Sequence, residues 1–107
     1  MARQKRFTIE FDQEALDQLG AFESKHRGTI KRTLLEQLTT EADKETRNRK
    51  RLERPGPFEA TWELRCGVDN EFRVFYDVDA ENLVVRVHAV GLKLREKLFF
   101  GGKEFKR

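Results

Sequence analysis

Five residues able to do chemistry, Glu63, Arg65, Arg73, Arg86 and His88, sit at alternate positions of three consecutive strand patterns within residues 61–91. Strand side chains point to opposite faces of a sheet in turn, so alternate positions share a face. In the first pattern Trp62, Leu64 and Cys66 oppose Thr61, Glu63 and Arg65. In the second, Phe72, Val74, Tyr76 and Val78 oppose Glu71, Arg73, Phe75 and Asp77, and in the third Val85, Val87 and Ala89 oppose Arg86 and His88. One face is apolar, and the other gathers arginines, a glutamate and a histidine. Arginine grips phosphate oxygens in pairs and keeps its charge. Glutamate and histidine can exchange protons. Together these are parts suited to cutting RNA. One group takes the proton of a 2′-OH, arginines stabilise charge on the pentavalent phosphorus, and an acid protonates the leaving 5′-oxygen. Phe75, on the same face, is positioned to stack on a base. The plainer alternative is a solvated sheet face, on which cross-strand Glu–Arg pairs stabilise by roughly 0.2–1 kcal/mol each. A lone strand histidine such as His88 is more often solvated or simply hydrogen-bonded.

A second signal precedes the strands. Residues 44–54, KETRNRKRLER, carry Arg47, Arg49, Lys50, Arg51 and Arg54 with only Leu52 as an apolar break. Lys93 and Arg95 add positive charge just past the last strand. The net charge is only +3, but the basic residues cluster, which favours an anionic partner through counterion release. Other chemistries lack their motifs. Cys66 is the single cysteine, which excludes an internal disulfide and a multi-cysteine zinc site. Acidic residues are dispersed, no His-x-x-x-His pair occurs, and no glycine-rich phosphate loop or Ser-His-Asp set is present. A metal-dependent nuclease is disfavoured, and no cofactor is implied. No apolar run approaches the roughly 20 residues needed to span a bilayer. The basic start, MARQKRFTIEF, lacks the apolar centre of a signal peptide, so the cytoplasm is the default location.

The elements that position these residues follow from periodicity. Residues 6–11 alternate as a first strand, with Phe7, Ile9 and Phe11 on one side. Asp12 reads as an N-cap, and Ala15, Leu16, Leu19 and Phe22 predict a helix over residues 13–23. Gly28-Thr29 opens a second helix, whose stripe of Ile30, Leu34, Leu35, Leu38 and Ala42 ends near residue 42. Pro55-Gly56-Pro57 marks a loop. Turn residues at 67–70 and 79–82 join the three strands into an antiparallel meander. The tail, residues 92–107, reads as a short helical turn with an extended end, and Gly101-Gly102 as a flexible turn. The expected order is β-α-α-β-β-β. It describes an α+β domain over residues 1–107, with two helices on one face of a small, antiparallel-dominated four-stranded sheet. The charged face stays open.

The blocks WELR (62–65), FRVFYDVD (72–79) and VRVHAVG (85–91), preceded by TRNRKRL (46–52), resemble in order and spacing the RelE/ParE superfamily of bacterial toxins from type II toxin–antitoxin modules. The resemblance spans nearly the whole chain and implies the same fold, with a cleft on the face away from the helices. It implies one of two targets. RelE-like members enter the ribosomal A site and cut mRNA without a metal, whereas ParE-like members poison DNA gyrase. Either kind is held inactive by a cognate antitoxin. On this resemblance Arg73 matches a phosphate-contacting arginine and Arg65 a second strand arginine. Lys93 or Arg95 matches a basic group after the Val-Gly pair, and Arg86, Arg49, Lys50 and Arg51 would join the RNA contacts. Thr61 and Glu63 stand where RelE has lysines, and Phe99 falls near a tail tyrosine that donates a proton. Glu63 or His88 would then serve as base or acid. The implied function is a ribosome-dependent endoribonuclease toxin. The alternatives are a gyrase inhibitor or a catalytically inactive antitoxin-binding module.

Overall fold

In the computed structural model, which describes residues 5–106, a seven-stranded sheet carries two helices on one face. The first four residues of the basic N-terminal stretch, and Arg107 of the tail, lie outside the described residues. Strand β1 (Thr8–Phe11) leads into α1 (Gln13–Gly20) and α2 (Ser24–Glu41). There follow β2 (Arg49–Arg51), β3 (Trp62–Cys66), β4 (Phe72–Asp79), β5 (Val84–Leu94), β6 (Lys97–Phe100) and β7 (Lys103–Glu104). Strands β2 to β7 lie side by side in chain order, each antiparallel to the next. β1 runs parallel to the first half of β5. The α+β class and the one-sided helices agree with the sequence, but the sheet has seven strands rather than four.

The helix face holds the main core. A spacing of four residues brings Ala15 and Leu19 of α1, and Ile30, Leu34 and Leu38 of α2, onto Leu64, Val74, Tyr76, Val85, Val87 and Val90 of the sheet. Each leucine, isoleucine or valine among them stabilises by roughly 1.5–3 kcal/mol when fully buried. The Tyr76 hydroxyl donates to the Ala42 carbonyl at 2.9 Å, tying the end of α2 to β4. Cys66 is buried as expected, and burial, with Glu71 adding, pushes its thiol pKa up to about 11.

Helix ends differ from the periodic estimate for local reasons. α1 stops at Gly20 because the Ala21 and Phe22 amides bond the Gln18 and Leu19 carbonyls, which tightens the last turn. Phe22 then packs edge-on against Phe72. α2 starts four residues before Gly28, its first turn held by His26 against Phe72 and by the Arg27 guanidinium donating to the Phe22 carbonyl.

The extra strands come from two segments read otherwise. The basic run contributes β2, and the tail forms two hairpins instead of a helical turn. Arg95 and Glu96, both at positive φ, make the two-residue turn between β5 and β6, and Gly101 and Gly102 make the next. One irregularity bears on the site. The β4–β5 register pairs Phe75 with Ala89 but Tyr76 with Val87, so His88 is an extra, bulged residue. Alternation inverts there. Val85 and Val87, then Val90 and Leu92, face the helices, whereas Ala89 joins the opposite face instead of the expected core. Among the described residues no helix is long and apolar enough to cross a membrane.

Candidate nucleic-acid interface

Directly opposed residues of an antiparallel ladder share a face, so the register lays out the face away from the helices in rows. One row runs Lys50, Glu63, Phe75, Ala89, and the next runs Arg65, Arg73, Gly91. On the other side of the first row, Thr61 bonds Asp77 and His88 projects from the bulge. The centre of the face is not open. Phe75 and Ala89 lie beneath Phe100 of β6, flanked by Ala60, Leu52, Phe58, Leu98 and Phe105. Phe75 is 2% exposed with its ring 5.9 Å from that of Phe100, so it is core and is unavailable for stacking on a base. A Cβ on Gly91 would sit 2.7 Å from the Phe100 ring, so glycine there lets the hairpin lie flat on the sheet. This aromatic cover splits the charged residues into two clusters.

The first cluster centres on Glu63. Its Oε1 accepts from Arg65 Nε at 3.1 Å and its Oε2 from Arg73 Nη1 at 3.4 Å. Arg73 also donates from Nε to the Asn70 carbonyl at 3.0 Å, which fixes the guanidinium plane. Arg73 and Glu63 are largely buried, whereas the Arg65 side chain is 40% exposed. Lys50, exposed on β2, faces Glu63 across the ladder. Lys93 follows Gly91 by two residues on β5 and is half-buried on this same side. Arg95 is exposed in the turn beyond it.

The second cluster centres on His88. Its Nδ1 lies 2.6 Å from Asp12 Oδ2 and its Nε2 lies 2.8 Å from Asp77 Oδ2. Carboxylates only accept, so both ring nitrogens donate and the ring is an imidazolium. Burial alone would lower its pKa, but the hydrogen bonds and charges of Asp12 and Asp77 outweigh that and raise it above the ordinary value. Asp12 is held below the usual carboxylate range, chiefly by its bond to His88. For Asp77 burial is the largest influence and pushes upward, yet the bonds from Thr61 and His88 bring it down. Asp12 does occupy the N-cap position of α1, but its carboxylate turns to His88 and Arg86 and makes no cap hydrogen bond. Arg86 donates to Glu10 at 2.6 Å and to Asp12 at 3.3 Å.

Several sequence expectations change accordingly. His88 cannot act as a base while both nitrogens donate to carboxylates, and it stands apart from the arginine pair. Arg49 is not a surface cation. It is fully buried, donating to the Lys44 carbonyl, to the Gln37 carbonyl and side chain, and to Glu41, and it pins β2 to the end of α2. Arg51 is exposed but lies opposite Trp62, on the helix side. Of these three neighbours, Lys50 alone shares the face of Glu63. Phe99 pairs with Leu92 and turns to the helix side, leaving Phe100 over the open face. The cross-strand relation of Lys50 to Glu63 was hidden in sequence, because a basic run gives no sign of being a strand.

No protein-family model matches the chain, and no curated protein sequence does. Solved structures match throughout most of its length. A chain of the RelBE2 toxin–antitoxin complex of Mycobacterium tuberculosis is 20% identical with a TM-score of 0.69, over 87% of this chain and 98% of that one. The isolated RelE toxin of Escherichia coli is 26% identical with a TM-score of 0.60, over 84% of this chain and 86% of that one. The intact E. coli RelBE complex matches at 26% identity and a TM-score of 0.59, over 84% and 99%. The chain is thus RelE-like, with the two helices and the antiparallel sheet that its sequence blocks suggested, whereas the centre of the far face, where a cleft was expected, is covered by the tail hairpin.

Proposed function

We propose that this protein is the toxin of a toxin–antitoxin module and a metal-independent endoribonuclease acting on mRNA in the ribosome. The similarity to RelE toxins supports the toxin class. The observation that carries the nuclease reading is the Arg65–Arg73 pair, directly opposed across β3 and β4 on the face away from the helices. Two adjacent guanidiniums suit a scissile phosphate and the charge that develops on it. Glu63 is the carboxylate within hydrogen-bond reach of both, and it takes the 2′-OH proton. Lys50 faces it and supplies a third cation and a proton donor for the leaving oxygen. Lys93 and Arg95 hold neighbouring phosphates. A cognate antitoxin is the expected partner. Consistent with one, a groove of about 340 Å³ lined by Ile9, Phe11, Leu16, Leu19, Leu34 and Leu35 leaves Leu16 and Leu35 45% and 63% exposed.

The test is incubation of the pure protein with ribosomes translating a defined mRNA. Cleavage within the A-site codon is expected, and its absence overturns the assignment. One observation favours a second reading, a gyrase-inhibiting or catalytically inactive toxin. The single tyrosine, Tyr76, is buried and bonded to Ala42, and no phenol reaches the arginine pair. Inhibition of gyrase supercoiling without RNA cleavage would select that reading.

A further inference from the structure

We infer that Glu63 is an internal stand-in for substrate phosphate: it holds Arg65 and Arg73 in the RNA-free protein and yields them to RNA by turning to Lys50. This rests on reading the arginine pair as the phosphate site. Like charges directly opposed across a ladder repel and destabilise it, and Arg65 and Arg73 are so opposed. The two Glu63 oxygens, one to each guanidinium, relieve that repulsion as two oxygens of a phosphodiester would.

The bridge is loose. Charge-assisted N–H···O bonds run at about 2.7–2.9 Å, whereas these are 3.1 and 3.4 Å, with a single bond to each arginine rather than a fork. A phosphate reaching the seat from the exposed Arg65 side can therefore replace the carboxylate. The displaced carboxylate meets Lys50 directly across the β2–β3 ladder, where opposed Cβ atoms are about 4.5–5.5 Å apart. Glu63 thus filters ligands. Stray anions compete poorly with a tethered carboxylate, and RNA held in register by other contacts displaces it.

The test uses the whole protein and a fluorescein-labelled, 2′-O-methylated RNA of about ten nucleotides, long enough for one binding site and not cleavable. Glu63→Gln is expected to bind about tenfold more tightly than wild type, since it frees two charge-assisted donors for phosphate. Glu36→Gln, which changes charge equally on the exposed face of α2, controls for overall charge and should change affinity less than about twofold. The gain should vanish in Glu63→Gln/Arg73→Ala. If Glu63→Gln fails to fold, Glu63→Asp decides, because the shorter carboxylate cannot span both guanidiniums and should give a smaller gain of the same sign. The inference is overturned if neither variant binds more tightly than Glu36→Gln, or if the gain survives loss of Arg73. Cleavage on ribosomes is scored separately. Tighter binding by Glu63→Gln with no cleavage by wild type sinks the nuclease reading alone, and unaltered binding with active wild type sinks this inference alone.

Discussion

Two clusters on one sheet face are built from the same kinds of residue and differ in the charge they leave unmet. Around Arg73, the cations Arg65, Arg73 and Lys50 gather about one carboxylate, Glu63, with Arg65 open to solvent. Around His88, three carboxylates (Glu10, Asp12 and Asp77) meet a protonated His88 and Arg86, and Thr61 donates twice to the remaining Asp77 oxygen. The first cluster retains cationic charge that an incoming phosphate can use. The second meets its two cations with three carboxylates and ties the start of α1 to β4 and β5. Arginine, histidine and carboxylate on a sheet face therefore do not by themselves make a site. What sets the first cluster apart is an excess of cations over the carboxylate among them.

Each cluster can be disrupted separately. The largest effect is expected from Arg73→Ala, which removes the better-fixed guanidinium and should slow ribosome-dependent cleavage about 10²–10³-fold, as loss of one preorganised oxyanion donor does. Primer extension on the cleaved mRNA measures it, and an undiminished rate would remove the functional half of the contrast. Next comes His88→Gln, which leaves two carboxylates facing each other without their cation. Urea unfolding should show a loss of roughly 1–3 kcal/mol, while cleavage per folded molecule stays near wild type. A large cleavage defect in fully folded protein would move His88 into the site. Arg65→Ala should be milder, about tenfold in cleavage, because half-exposed arginine is screened and makes one bond to Glu63.

The smallest effect is a pH dependence owed to the second cluster. The pKa of His88 is higher in the folded chain than its ordinary 6.5. Its contribution is therefore fully present below about pH 6.5 and is lost as pH rises through the folded value. Asp12 and Asp77 have folded values below 3.8, so their contribution is present above that pH and is lost as pH falls through the depressed values. Both carboxylates are more than a third exposed, and solvent screening keeps the acid-side change small. Urea midpoints should be flat between about pH 4 and 6.5 and decline on the alkaline side. His88→Gln should lack the alkaline decline, and a wild-type midpoint that rises with pH above neutrality would contradict the imidazolium.

Alternation made β3 and β4 legible and put Arg65 and Arg73 on the face away from the helices. It failed where a single residue broke the period. The bulge at His88 moved Ala89 across the sheet and aimed the imidazole at Asp12, a contact 76 residues distant in sequence. The basic run concealed a strand because the environment of Arg49 is tertiary, built from α2 and the turn after it. The tail hairpin was hidden by its own turn. Arg95 and Glu96 adopt the positive φ usually left to glycine or asparagine, so no turn signal appears in the sequence. With the hairpin unseen, the covering of Phe75 by Phe100 could not be read either.

A contact map in solution tells directly which of the two clusters meets RNA. The ¹⁵N-labelled protein is titrated with the 2′-O-methylated RNA while the arginine Nε–H and histidine ring resonances are followed. Arg65 and Arg73 are expected to shift in step with saturation while His88 stays fixed. Shifts confined to His88 and Arg86, with the arginine pair unmoved, would contradict this.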